Sequence, residues 1–178
     1  MKKAFTMLEL VFVIVVAGII AAVVIPNTKT NPAQEAAIQL LSHIRYTQHL
    51  AMVDDKYDST NANWFQNRWQ IRVAGDTYSV VSDNNTNFAL DPSNNDQNLS
   101  INLNDDYSVT ITSDGSCPAA NPTSVIISFD HLGRPFVGAL ATNYGQLMAT
   151  PCQLTLTSGT ETVDINITQE TGYAQILF

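Results

Sequence analysis

The sequence predicts an α+β protein: a long N-terminal helix, membrane-spanning and then amphipathic, packed on antiparallel β-sheet. Three observations predict it. From Phe5 to Ile25 only Thr6 and Glu9 are polar, and Leu10 to Ile25 is apolar without interruption. A second helical pattern opens at Asn31-Pro32. From Trp64 onward the residues alternate and become β-branched and aromatic, the signature of strands. One long helix followed by many short strands is the order of an α+β domain with its helix laid on a sheet.

The first element is about the ~20 residues that a helix needs to cross a ~30 Å hydrocarbon layer. Lys2 and Lys3 precede it, which places the N-terminus in the cytoplasm and everything after Pro26 outside it. A secretory signal peptide would end in a small-residue cleavage triplet. None follows here, because Ile19 and Ile20 stand two places before Ala21 and Ala22. Glu9 is the anomaly, since a carboxylate at the edge of such a run costs roughly 2.5–3.5 kcal/mol on insertion scales and asks for a partner. In a staggered bundle an amine from a neighbouring subunit lying beside the Glu9 carboxylate would turn two buried charges into one pair.

From Pro26 to Pro32 the chain is polar between two prolines, so the helix bends or breaks there. The second helix takes Asn31 as N-cap and Pro32 as its first residue, with Glu35 in the first turn. It runs to about Asp54, with Ala37, Leu40, Leu41, Ile44 and Ala51 as its apolar stripe. Trp69–Val73 and Tyr78–Val81 flank Ala74-Gly75-Asp76-Thr77 as a hairpin. Leu99–Leu103 and Tyr107–Ile111 around Asn104-Asp105-Asp106 are expected to form a second, and Gln153–Thr157 with Val163–Thr168 a third. Ser124 to Phe129 reads as a buried strand, and Tyr173 to Phe178 as the last one. The organisation is therefore residues 1–4 as leader peptide, 5–25 as transmembrane helix, 26–55 as linker and amphipathic soluble helix, and 56–178 as a β-rich extracytoplasmic head.

The chain has 178 residues and a net charge of −8. Beyond Pro26 six basic residues face fifteen acidic ones, which disfavours nonspecific binding to nucleic acid, where Lys and Arg must displace counterions from phosphate. Cys117 and Cys152 are an even pair in a segment expected in an oxidising compartment, read most simply as one disulfide, with two free buried thiols as the alternative. His43 and His49 lie six residues apart, about 240° around a helix, so they do not share a face for zinc. His131 beside Asp130, with Ser128 near in sequence, matches no nucleophile motif. No phosphate-binding Gly loop with Lys is present. The chain is therefore not expected to be an enzyme. Asp91, Asn94, Asn95 and Asp96 offer oxygen ligands, but the segment lacks the turn Gly and terminal Glu of an EF-hand. Asp91 and Asp96 are weak calcium candidates on what is otherwise a solvated loop, and no other cofactor is expected. Asp96–Ser100 and Asp164–Thr168 match an acid-extended N-glycosylation sequon.

Lys2-Lys3-Ala4 followed by Phe5-Thr6-Met7-Leu8-Glu9 resembles the prepilin junction of type IV pilins and type II secretion pseudopilins, although Ala4 stands where that family usually has Gly. Phe129-Asp130-His131-Leu132-Gly133-Arg134-Pro135 and Thr168-Gln169-Glu170-Thr171-Gly172-Tyr173 look like strand-turn pieces of the H-type, FimT-like minor members. The resemblance implies a pilin-like fold, prepilin peptidase cleavage between Ala4 and Phe5, N-methylation at Phe5, Glu9 as the assembly and register acid, and Pro26 as a helix kink. It further implies a single-pass protein of the bacterial inner membrane with a periplasmic head that can be extruded in a filament. Its expected contacts are membrane lipid, other pilins and pseudopilins, the peptidase and an inner-membrane assembly platform. The expected function is that of a minor pseudopilin or minor pilin in a type II secretion or type IV pilus-like filament. Two rivals remain: a DNA-uptake minor pilin and a plain membrane-anchored domain.

Overall fold

The computed structural model describes residues 6–24, 31–84, 86–113, 117, 124–138 and 146–177. The chain divides into two compact units, Met1–Asn31 and Pro32–Phe178. The first contains helix α1 (Met7–Val24). The second opens with helix α2 (Pro32–Val53) and continues with strands and one short helix.

The single long N-terminal helix expected from the sequence is thus corrected to a short helix α1 in the first unit and a second helix, α2, which packs on the sheets of its own unit. Proline explains where α2 starts, because its missing N–H is harmless in a first turn and disruptive further along. The membrane assignment is also corrected. Among the described residues no helix is long and apolar enough to cross a membrane. At 1.5 Å per residue the 18 residues of α1 rise about 27 Å, short of the ~30 Å layer. The expectation of a transmembrane helix, and with it of a single-pass inner-membrane protein with cytoplasmic N-terminus and periplasmic head, is overturned by this finding.

The strands of the second unit are β1 (Gln70–Ala74), β2 (Thr77–Ser82), β3 (Asn87–Phe88), β4 (Ser100–Asn102), β5 (Thr110–Ser113), β6 (Ser124–Phe129), β7 (Pro135–Val137), β8 (Gln146–Leu147), β9 (Cys152–Ser158), β10 (Glu161–Ile167) and β11 (Ala174–Leu177), with helix α3 (Leu103–Tyr107) between β4 and β5. They form two antiparallel sheets. One runs β3-β2-β1-β6-β7-β8 with β4 also on β2, and the other runs β11-β10-β9-β5. The hairpin β1–β2 closes with Ala74 opposite Thr77, and β9–β10 with Ser158 opposite Glu161. Gly75 and Gly159 supply the positive φ that these two-residue turns need.

The expected second hairpin does not form. β4 pairs with β2 in the first sheet, and β5 pairs with β9 in the second. Asn104-Asp105-Asp106 is the first turn of α3 instead: the Asn102 side chain accepts the Asn104 N–H, and both acids sit at the positive end of the helix. Ser108, left-handed at φ 52°, ends it by donating to the Leu103 and Asn104 carbonyls.

The core lies between α2 and the sheets. Ala33, Ala36, Ala37, Leu40, His43, Ile44, Thr47 and Ala51 form the buried stripe of α2, recurring at the three- and four-residue spacing of one helical face. Ile71, Val73, Val80, Val125 and Ile127 of the first sheet and Leu154, Leu156, Ile165 and Ile167 of the second belong to the same apolar cluster. At the far end of α2 the Trp69 indole donates to Asp54 at 3.0 Å. Cys117 and Cys152 form a disulfide that fastens the segment after β5 to the first residue of β9. Closing a loop of this size stabilises by about 3–4 kcal/mol in the chain-entropy account.

Gly75 and Gly172 both have φ +66°, but a Cβ at Gly75 would meet nothing within 4 Å, whereas one at Gly172 would lie 2.7 Å from the Gly133 carbonyl oxygen and 3.0 Å from the Phe129 ring. Gly75→Ala should therefore cost only the left-handed penalty of about 1–2 kcal/mol. Gly172→Ala adds a backbone clash and should cost at least ~2 kcal/mol more. Urea unfolding of the two variants measures the difference, and equal midpoints would refute the packing described.

Candidate functional site

Helix α1 begins with a cap. The Thr6 hydroxyl accepts the Glu9 N–H at 3.2 Å and the Thr6 carbonyl accepts the Leu10 N–H at 3.2 Å. Thr6-x-x-Glu9 has the spacing of a capping box, and an acid in the first turn is favoured by the helix dipole. This signal lies in the sequence itself, three residues apart. Glu9 is exposed. So are the apolar side chains around it: Met7, Leu8, Leu10, Val11, Phe12, Val13, Ile14, Val15, Val16, Ile19 and Ile20 are all open, from 37% at Val16 to 86% at Met7. These positions cover every direction around the axis, so α1 has no solvent side. The remaining positions assigned to processing and kinking, Ala4, Phe5 and Pro26, lie outside the described residues.

The second unit holds a buried polar centre. His43 Nδ1 and the Tyr78 hydroxyl are 2.7 Å apart, with His43 6% and Tyr78 1% exposed. Burial pushes the His43 pKa down, against the pull of the Asp91 charge. Burial, with the charge of Asp91, pushes the Tyr78 phenol far up. The phenol keeps its proton and donates it to a neutral imidazole, the arrangement both shifts favour. Burial tends to raise the Asp91 carboxyl, but two hydrogen bonds from Ser93, with a smaller pull from His43 when it is protonated, hold it below the usual range. The Ser93 N–H and hydroxyl both reach Asp91 Oδ1, at 2.8 and 2.7 Å.

This geometry bears on the calcium candidates. One Asp91 oxygen serves an Asx turn, Asp96 is exposed, and the two meet through backbone, the Asp91 N–H donating to the Asp96 carbonyl at 2.7 Å. Among the described residues no group of three His, Cys, Asp or Glu is placed to hold a metal. Nor does the Ser128, Asp130, His131 neighbourhood make a triad. Asp130 accepts from the backbone of Leu132 and Arg134 and from Arg134 Nε, and Arg134 completes an ion pair at 2.7 Å. His131 is exposed, and the buried Ser128 hydroxyl makes no hydrogen bond. His49 is exposed while His43 is buried, as their spacing on α2 requires.

The two late segments singled out in the sequence do meet. Gln48 Nε2 on α2 donates to the Gly133 carbonyl at 2.8 Å and to the Thr171 carbonyl at 2.9 Å. A single side-chain amide thereby holds the 130–134 turn, the 168–172 turn and the helix together. Next to this junction Met52, Leu132 and Tyr173 are exposed, and Arg45 donates to the Ala174 carbonyl at 2.9 Å with its guanidinium 6.0 Å from the Tyr173 ring centre. Sequence reasoning missed Gln48, since nothing in a lone helical Gln announces two carbonyls more than eighty residues away.

Among the described residues the basic side chains are dispersed, and four of them are engaged. Lys56 bridges Asp54 at 2.8 Å and Asp83 at 3.3 Å. Arg68, 2% exposed, lies 4.4 Å from the Phe136 ring centre and 5.1 Å from that of Trp64. Arg45 and Arg134 are held as described, and Arg72 is half-buried on β1. Comparison with models of protein families, with curated proteins and with solved structures found no match.

A neutral buried histidine has a defined acid response. The unfolded chain takes up a proton on His43 near pH 6.5 and the folded chain resists it, so the unfolded state binds more protons and stability falls as pH drops below about 6.5. Urea midpoints should be lower at pH 5 than at pH 7, and His43→Gln should shrink that difference. Asp54 and Asp91 have lowered pKa values and lose their contribution only below about pH 4, outside this window. An undiminished difference in the variant would place the acid sensitivity elsewhere.

Proposed function

We propose that this chain is a minor pseudopilin or minor pilin: a structural subunit cut before Phe5 by a prepilin peptidase, methylated there, and built with other pilin-type subunits into a filament of a secretion or pilus machine. The observation that carries this reading is α1, a helix apolar in every direction and uncovered. Eleven large apolar side chains stand open on it, each worth roughly 1.5–3 kcal/mol when buried. A bundle of such helices from neighbouring subunits would cover them, and head-to-tail repetition of the contact gives an open helical polymer. The head would then be the part displayed, with its turns fixed by Gln48. The subunit acts by assembly, and its partners on this reading are the peptidase, like subunits and the platform that extrudes them.

N-terminal mass spectrometry of protein from the native host should find a chain starting at Phe5 with a methylated amine. A chain starting at Met1, or near Val23, would sink the proposal. Glu9 can then be tested in two variants co-produced with partner subunits. If its charge meets the Phe5 amine of a neighbour, Glu9→Leu and Glu9→Gln should both lose cross-linked heteromers by tenfold or more. If Glu9 only caps α1, Gln keeps the capping geometry and assembles like wild type. The DNA-uptake alternative requires steeply salt-dependent binding. Residues 32–178, acidic and with their few cations dispersed, should give no mobility shift at near-physiological salt, and clear retardation would reverse the ordering.

A further inference from the structure

Three segments have the form Asn-x-Ser/Thr with x other than Pro: Asn84-Asn85-Thr86, Asn98-Leu99-Ser100 and Asn166-Ile167-Thr168. In such a sequon the Asn carboxamide is the acceptor of a glycan and the hydroxyl two residues on is a recognition group, so a usable site must leave both outside the fold. The structure separates the three. Asn166 is half-buried in the middle of β10, opposite Gln153 of β9 and Gln175 of β11. Its Thr168 hydroxyl is bound by the Thr171 hydroxyl at 2.7 Å and by the Tyr173 carbonyl at 3.2 Å, and its preceding acid, Asp164, accepts from Thr155 at 2.7 Å. Asn84 is exposed, but the Thr86 hydroxyl is held by the Asp83 carbonyl at 2.6 Å and Ser82 stands where an acid would extend the sequon.

Asn98 differs in each respect. Asn98, Ser100 and the acid Asp96 two places before are all exposed. Among the described residues no hydrogen bond engages the side chains of Asn98 or Ser100, and the Ser100 N–H folds back to the Asn98 carbonyl at 2.8 Å, forming a tight turn across the sequon. We propose that Asn98 is an N-glycosylation acceptor, taking an oligosaccharide from a polyprenyl-diphosphate donor with Asp96 and Ser100 as the recognition groups. In the transfer the carboxamide nitrogen attacks the anomeric carbon, a C–N bond forms, the C–O bond to the diphosphate breaks, and the polyprenyl diphosphate leaves with the electron pair. The proton lost from nitrogen goes to a base of the transferase. Leu99 anchors the segment between Asn98 and Ser100. It is fully buried, its N–H donating to the Ala89 carbonyl and its carbonyl accepting from Val80, each at 3.0 Å. With Leu99 held inward, the folded chain presents Asn98 and Ser100 on its exposed side beside β4.

The test is to produce the full chain together with an acid-requiring oligosaccharyltransferase and its polyprenyl-diphosphate-linked oligosaccharide, and to map glycopeptides by mass spectrometry. One glycan mass should appear on the peptide bearing Asn98, vanish in Asn98→Gln, fall at least tenfold in Asp96→Ala and persist in Asn166→Gln. An unmodified wild-type chain, or transfer to Asn166 or Asn84 with Asn98 bare, would overturn the proposal.

Discussion

Burial of one face of α2 is the constraint on which the second unit depends. Its stripe is dominated by alanine, with Ala33, Ala36 and Ala37 fully inaccessible, so the helix backbone can approach the strands closely. Leu40 and Ile44 then fill the space between. The polar anchors are placed around that contact. Gln48 reaches two turns, Arg45 reaches the start of β11, and Asp54 receives the Trp69 indole at the head of β1. Each of these bonds joins segments far apart in the chain, and each is in reach only because the alanine face is seated.

Helix α1 presents the opposite case. It is capped and regular, yet its large apolar side chains from Met7 to Ile20 stand exposed, so its stability as a helix and its solubility pull in different directions. Backbone hydrogen bonding and the Thr6 cap account for the helix itself. They do nothing for the exposed Phe12, Ile14 or Ile19. A surface this continuous marks an interaction site in a way that singly exposed apolar residues do not. That contrast between a satisfied helix and an unsatisfied surface is the physical ground for reading the chain as part of an assembly.

Local chemistry was legible in the sequence, and register between distant segments was not. The start of α2 at Pro32, the turns at Gly75 and Gly159, and the pairing of Cys117 with Cys152 follow from proline, glycine and cysteine, whose constraints act within a few residues or leave one partner. The second expected hairpin failed because Asn104-Asp105-Asp106 suits a turn and a helix N-terminus equally, and the choice was made by Leu103 entering the core and by β5 finding β9. Treating the two N-terminal helices as one spine across a membrane failed for a related reason. Hydropathy gave the run its character but not its helical length. Of the site residues, Glu9 was legible as an anomaly, and its backbone cap partner Thr6 lies only three residues away.

That cap changes how Glu9 is to be weighed. An N-cap interaction contributes about 0.5–2 kcal/mol to a helix end, and a carboxylate near the dipole adds typically 0.3–1 kcal/mol. Both operate in an isolated subunit with Glu9 in water. In a bundle the terms change in size. Burying the carboxylate among apolar helices without a countercharge costs several kcal/mol, more than the cap returns, so an assembly that covered α1 and left Glu9 unmatched would be weaker than one with leucine there. A cap alone therefore explains why an acid is tolerated at this position in the free chain, and a countercharge is needed to explain why it would be tolerated once α1 is covered. The two roles are compatible in sequence of events, since a capped and solvated Glu9 keeps the helix end formed until a neighbour's amine replaces water around the carboxylate.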